Sequence, residues 1–245
     1  MKALILAAGI GKRLKPITDD IPKCLIDVGG KTIIEYLLDN FNSVGIKETI
    51  IVVGFNNEAV QKKIGNFYQA MEIKYVLNKD FSTTNNLYSL WCARDLIDDS
   101  FIQCHGDIIF NKEILKKLIR SPRENVIVID SDLENFVEDA NRVRLRLGKV
   151  IEINKTLPKK ESAGRAFGLY KFSKKGAENY YKNIKENSHK IKDGFETGLR
   201  PTLEEISFGA IDIKGLPYAE IDDINDLESA KKKIKYILEY DNKKF

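Results

Sequence analysis

Apolar residues fall along the chain in two alternating rhythms. Short continuous runs read as buried strands: Ala3 to Ala8, Glu48 to Val53 (ended by Gly54), Glu72 to Leu77, Phe101 to His105 and Asn125 to Ile129. Between them the spacing turns helical. Thr32 to Phe41 places Ile33, Ile34, Leu37, Leu38 and Phe41 on one face, and Asn57 to Phe67 follows with Asn56 or Asn57 as cap. Asn86 to Leu96 and Lys112 to Ile119 complete the series. This alternation predicts an α/β fold, a mostly parallel Rossmann-like central sheet with helices on both faces and ligand at the carboxyl ends of the strands.

Beyond about Asp132 the rhythm changes. Arg142 to Leu147 and Lys149 to Ile153 flank Gly148 as a hairpin, and Ala163 to Phe172 reads as a further strand. Lys174 to Glu186 is helical, Phe208 to Ile213 is a short strand, and Ile224 to Tyr240 is an amphipathic helix. With no repeat, low-complexity segment or linker, residues 1–245 read as one domain carrying a smaller mixed β region in its second half.

Composition narrows the class. A chain of 245 residues, 43% hydrophobic and 31% charged, can bury one sizeable core. The net charge of +4 suits small anionic substrates and is too weak for a dedicated nucleic-acid binder. Cys24, Cys92 and Cys104 are odd in number and widely spaced, which argues against a disulfide framework or zinc site and for a reducing, cytoplasmic setting. The N-terminal apolar stretch stops at Ala8 and meets Lys12 and Arg13, so it reads as a core strand rather than a signal peptide. No apolar run reaches the ~18 residues of a membrane span.

The densest chemistry lies in residues 1–31. The first strand runs into Gly9-Ile10-Gly11, a loop whose backbone N–H groups can approach an anion, with Arg13 on the loop and Lys23 just beyond it. Two cations held this close suit a shared polyanion such as a nucleoside triphosphate. The pattern is not a dinucleotide fingerprint, because Leu14 stands where the third glycine belongs. Nor is Gly30-Lys31-Thr32 a P-loop, since Leu25 stands at its first glycine.

Leu6-Ala7-Ala8-Gly9, Gly11, Arg13-Leu14, Pro16 and Thr18, followed by Pro22-Lys23-Cys24-Leu25, resemble the signature of the nucleotidyltransferase superfamily. Its members join an NTP to a phosphorylated small molecule, release pyrophosphate and share a sheet with nucleotide-sugar glycosyltransferases. Asn85-Asn86-Leu87-Tyr88-Ser89-Leu90 resembles the phosphocholine cytidylyltransferase branch, and Gly168 to Ser173 and Glu220-Ile221-Asp222 continue the likeness. The resemblance implies CTP as donor, Mg²⁺ as cofactor and a small phosphate or phosphonate acceptor, such as phosphocholine, phosphoethanolamine or aminoethylphosphonate. Such a product would activate a cell-surface or lipid head group. Residues 1–130 would bind nucleotide and 131–245 the acceptor. A sugar-1-phosphate nucleotidyltransferase using UTP or dTTP is the alternative.

Carried over residue by residue, the resemblance implies that Arg13 and Lys23 are catalytic. Leu6, Ala7, Ala8, Gly9, Gly11, Asn85, Asn86, Ser89 and Gly106 would line the nucleotide. Asp107, after a strand-end glycine, and Asp222, in Glu220-Ile221-Asp222, would hold Mg²⁺, which prefers hard oxygen ligands. Adjacent Asp223 would cap the last helix. Lys155 resembles the lysine that meets the acceptor phosphate, although an ordinary solvated lysine looks the same. Arg165 suits an anionic acceptor group, whereas Glu196, with Trp91, Tyr88 and Tyr170, suits a cationic one. The histidines, His105 and His189, receive no role. An already ionised acceptor needs no protein nucleophile, and no Ser–His or Cys–His pair stands out. A glycosyltransferase would be expected to carry Asp-x-Asp where His105-Gly106-Asp107 stands, and a non-catalytic binder to have lost Lys23 or Asp107. Nucleic acid and membrane are not expected as partners, and homodimerisation is left open.

Overall fold

The computed structural model describes residues 1–132, 140–186 and 194–240, so His189 and the tail lysines Lys243 and Lys244 lie outside the described residues. In chain order the strands are β1 (Lys2–Ala7), β2 (Glu48–Val53), β3 (Phe67–Tyr68), β4 (Met71–Leu77), β5 (Phe101–His105), β6 (Ile108–Phe110), β7 (Val126–Asp130), β8 (Arg142–Arg146), β9 (Lys149–Asn154), β10 (Gly164–Phe172), β11 (Gly209–Asp212) and β12 (Tyr218–Glu220). The helices are α1 (Ile33–Ser43), α2 (Asn57–Ile64), α3 (Asn86–Cys92), α4 (Lys112–Arg120), α5 (Lys174–Glu186), α6 (Glu196–Glu205) and α7 (Ile224–Glu239). They form two compact units. The first comprises Lys2–Thr83, His105–Lys116 and the described residues from Leu216 onward; the second comprises Met1, Thr84–Cys104 and the described residues of Lys117–Gly215.

In the first unit β1, β2 and β4 are parallel neighbours, with β3 antiparallel to β4. The apolar residues of β1 and β2 are continuous because both faces of these strands are covered. Helix α1 begins at a capping box in which Thr32 and Glu35 satisfy each other's backbone N–H groups. Antiparallel β6 and β12 form a separate ribbon, and Leu14, Ile26, Val28, Ile33, Tyr36, Ile109, Ile221 and the inner face of α7 share one core.

In the second unit β10 runs antiparallel to β5, β7 and β8; β7 and β11 are parallel; β9 joins β11 to β8. The expected hairpin forms, with Leu147 (φ 49°) and Gly148 (φ 72°) as a two-residue left-handed turn. Aromatic rings fill the interior, with Phe172 stacked on Phe101 at 4.8 Å and on Tyr180 at 4.9 Å.

The α/β, Rossmann-like expectation holds, and the sheet is mixed. Helix α2 stops at Ile64, short of the expected Phe67, because Gly65 takes φ 73° and frees the chain to form β3. Strands β3 and β6 and helix α6 were not expected from the sequence, while β12 falls in the strand-like segment expected to end at Asp222. Among the described residues no helix is long and apolar enough to cross a membrane.

Candidate active site

The site grows from the end of β1. Leu6 and Ala7 finish the strand, and Ala8 and Gly9 carry the chain to Gly11, which adopts φ 70° and ψ 41°. Glycine tolerates this left-handed geometry and leaves room: a Cβ here would lie 3.1 Å from Lys23 Cβ and 3.2 Å from Thr18 Cγ2. The Gly11 carbonyl accepts from the buried Thr18 hydroxyl (2.8 Å) and from the Leu14 N–H (2.9 Å). Buried Leu14 and Cys24 pin two short 3-10 turns, Lys12–Leu14 and Lys23–Leu25. The first turn directs Arg13 outward, its side chain 68% exposed, while the second holds Lys23 at 14%.

The carboxylates arrive by another route. After β5, the Gly106 N–H donates to the Leu6 carbonyl at 2.9 Å, and a Cβ on residue 106 would sit 2.5 Å from that oxygen. Only glycine lets the chain lie against β1 here, and Asp107 follows at once. Strands β6 and β12 pair with Ile108 opposite Glu220, and the Ile221 N–H donates to the Asp107 carbonyl at 2.9 Å. The ribbon therefore brings together Asp107, just before β6, and Asp222, just after β12. Both were expected at the carboxyl ends of parallel strands; Asp107 does follow β5, while the antiparallel β6–β12 ribbon brings Asp222 to it. The structure also separates the two neighbouring aspartates. Asp223 accepts from the Asp226 N–H as cap of α7, and Asp226 accepts from the N–H groups of Asp222 (3.0 Å) and Asp223 (3.1 Å). This leaves the Asp222 carboxylate to the site.

Lys23 Nζ lies 2.9 Å from both Asp107 Oδ2 and Asp222 Oδ1, and Arg13 Nη2 lies 3.1 Å from Asp222 Oδ2. Burial pushes the Asp107 carboxyl upward, but the Lys23 ammonium, with His105 adding to it, prevails and holds it below the ordinary aspartate range. Burial likewise pulls Lys23 down, and the two carboxylates more than reverse this, leaving it above an ordinary lysine. Burial pushes the Cys24 thiol up to about 12, so this neighbour of Lys23 stays protonated and is no nucleophile. The arrangement is a balanced cluster of two cations and two carboxylates beside a glycine loop.

The sequence matches the nucleotidyl transferase family over residues 2–208. The chain belongs to that family. The CTP:phosphoglutamine cytidylyltransferase of Campylobacter jejuni is 31% identical over 189 residues, covering 71% of this chain and 73% of that protein. The choline-phosphate cytidylyltransferase of Streptococcus pneumoniae is 33% identical over 140 residues, 56% of this chain and 58% of its own length. A uridylyltransferase of glucose 1-phosphate from Haloferax volcanii is also similar, at 32% identity over 125 residues, 51% of this chain and 50% of that protein. In fold, the chain is similar to the inositol-1-phosphate CTP transferase from T. maritima, with TM-score 0.81, 20% identity and 98% of each chain covered.

In this nucleotidyltransferase the first unit unites Arg13, Lys23, Gly106, Asp107 and Asp222, as expected. Leu6, Ala7, Ala8, Gly9 and Gly11 lie in the same unit; the other expected residues, Asn85, Asn86, Ser89, Lys155, Arg165 and Glu196, belong to the second. Asn85 caps α3, its Oδ1 accepting from the Asn86 N–H at 2.7 Å; Ser89 is buried in the same helix. Lys155 is exposed in the turn after β9. Arg165 is 6% exposed on β10, opposite Asp130 and Arg142 in register. Glu196 opens α6 and is 7% exposed. Two aromatic candidates for a cationic acceptor are occupied by packing: the Arg94 guanidinium lies 4.4 Å over the Trp91 ring, and buried Tyr170 packs on Phe195. Thr18, noted in the sequence only as part of the signature, shapes the loop, and Asp226, not singled out there, shapes the Asp222 turn; Asp226 was signalled by an acidic residue three positions after a capping one.

Proposed function

We propose that this nucleotidyltransferase transfers a cytidylyl group from CTP to a small acceptor bearing a phosphate or phosphonate, with Mg²⁺, and releases pyrophosphate. The observation that carries the reading is the convergence of Asp107 and Asp222 on one cation, with Arg13 and Lys23 beside the glycine loop. The donor set fits Mg²⁺. Its ligands are carboxylate oxygens, and Asp107 Oδ1 is buried without a hydrogen-bond partner. No cluster of three or more His, Cys, Asp or Glu able to hold a metal occurs among the described residues, so phosphates and water would complete the shell. When bound, Mg²⁺ would neutralise charge on the α-phosphate and the departing pyrophosphate.

Arg13, Lys23 and the N–H groups of the loop would hold the triphosphate and stabilise the charge that builds during transfer. An oxygen of the ionised acceptor attacks the α-phosphorus in line; the new P–O bond forms as the bond to the bridging oxygen of the β-phosphate breaks. Protein nucleophile and general base are both unnecessary. The lean to CTP is supported by the Asn85–Asn86 cap, whose amides suit the donor–acceptor pattern of cytosine, and by the cytidylyltransferase relatives. Lys155 and Arg165 are proposed for the acceptor phosphate and Glu196 for a cationic head group. A cytoplasmic setting suits cysteines of which none of the described ones is in a disulfide. The test is pyrophosphate release from CTP, UTP, dTTP, ATP or GTP with phosphocholine, phosphoethanolamine, aminoethylphosphonate and hexose 1-phosphates. CTP is expected to lead with a non-sugar acceptor. Turnover of UTP or dTTP with a hexose 1-phosphate, and none of CTP, would replace the cytidylyl reading with a sugar-nucleotide one.

A further inference from the structure

Lys23 is required in two places. Its ammonium bridges Asp107 Oδ2 and Asp222 Oδ1, each at 2.9 Å, yet the reaction asks it to meet the triphosphate and asks those carboxylates to hold a metal. Two of its three N–H donors lie on these carboxylates, so the ammonium keeps one for a phosphate and covers the oxygens a metal would need. With Arg13 on the far oxygen of Asp222, the four formal charges already cancel. A divalent cation entering this neutral cluster would have to expel an ammonium held by charge-assisted hydrogen bonds at 14% exposure.

We propose that Lys23 is the resident counter-ion of the metal site: it excludes the divalent metal until a triphosphate draws it away, so that metal loads together with nucleotide. The inference rests on the reading of Asp107 and Asp222 as metal ligands. Three features support it. Lysine carries a compact charge on a flexible four-carbon stem, which can turn about a fixed root. That root is fixed beside the phosphate loop, since Lys23 Cβ packs where Gly11 lacks a side chain. And Asp107 Oδ1 remains buried without a partner even with Lys23 in place, so the ammonium satisfies the pair only in part. A polyanion arriving at the loop offers Lys23 and Arg13 better partners, and the released carboxylates regain a net negative charge that favours a dication.

The test is Mn²⁺ binding to the full chain, followed by electron paramagnetic resonance, with Mn²⁺-dependent thermal shift as second readout. Wild type without nucleotide should bind weakly, and Lys23→Met should bind at least tenfold tighter and gain a Mn²⁺-dependent rise in Tm. Adding Asp222→Asn to Lys23→Met should remove that gain. Lys23→Gln, which keeps a polar head without charge, should behave like Lys23→Met and serves if the latter does not fold. Wild type given a non-reacting CTP analogue should form a ternary Mn²⁺ complex that Asp107→Asn lacks. If both Lys23 variants bind no tighter than wild type while that ternary complex forms, the counter-ion role is wrong and the metal site stands. Equal Mn²⁺ affinity of wild type with and without the analogue would also overturn it. If no Mn²⁺ is bound in any of these samples, the metal-site reading fails and takes the inference with it.

Discussion

Lys23 meets one carboxylate 84 residues away and another 199 away, and the proposed chemistry rests on these three side chains. Lys23→Met should lower kcat/KM by roughly 10²-fold or more with the fold retained, as when a preorganised charge is lost. Its effect on stability should depend on pH. Asp107 has a lowered pKa in the folded chain, so its contribution is present above about pH 4 and is lost as pH falls through the folded value. Without the lysine, burial dominates and the carboxyl rises, so the variant suffers most where it must stay charged. In a metal-free buffer the Tm gap between wild type and Lys23→Met should narrow from pH 7 to pH 4. A gap that is constant or widens on acidification would mean the two groups are not coupled. Asp107→Asn and Asp222→Asn should each remove most activity, with the double variant little worse than either, because one site is lost once. Asp223→Asn should do far less, since asparagine also caps α7. Rate assays on the four variants decide this, and effects that simply multiply would contradict a shared site.

At the scale of elements, the β6–β12 ribbon sets the geometry, and Gly106 admits it. Gly106→Ala would place a methyl 2.5 Å from the Leu6 carbonyl oxygen. It should cost about 1–3 kcal/mol of stability and shift Asp107, lowering both Tm and kcat/KM. An unaltered Tm and rate would show that this approach is not a constraint. The ribbon also marks what sequence pattern conveys and what it does not. Strands β2 and β5 and helix α5 were read with their observed bounds because burial on both faces, or a strong helical stripe, leaves a local signature. Strands β6 and β12 are three residues each, and only their mutual pairing across the chain makes them strands. Helix α6 contains Gly198 and Pro201, both poor helix formers, and is held by packing: absence of a side chain at Gly198 lets it meet Tyr180 and Ile184 of α5 and Leu87 of α3. Hence the meeting of Asp107 and Asp222 was expected, while the ribbon that joins them and their ion pairs with Lys23 were not.

At the scale of the molecule, the residues proposed for the triphosphate were readable because a glycine loop and its cations lie within one stretch of some thirty residues. The residues proposed for the acceptor were less so. Lys155, Arg165 and Glu196 come from a turn, a sheet interior and a helix start, and packing has already engaged Trp91 and Tyr170. Nucleotidyl transfer at the α-phosphorus, carried by Lys23, Asp107 and Asp222, is the proposed reaction. Its most direct measurement follows the label from [α-³²P]CTP and [γ-³²P]CTP in parallel reactions with Mg²⁺ and phosphocholine, aminoethylphosphonate, inositol 1-phosphate or glucose 1-phosphate. The α label should enter an acceptor-linked product as the γ label leaves in equal amount as pyrophosphate, and both should vanish in Asp107→Asn and Asp222→Asn. A γ label on the acceptor, or an α label found only in free CMP, would contradict it.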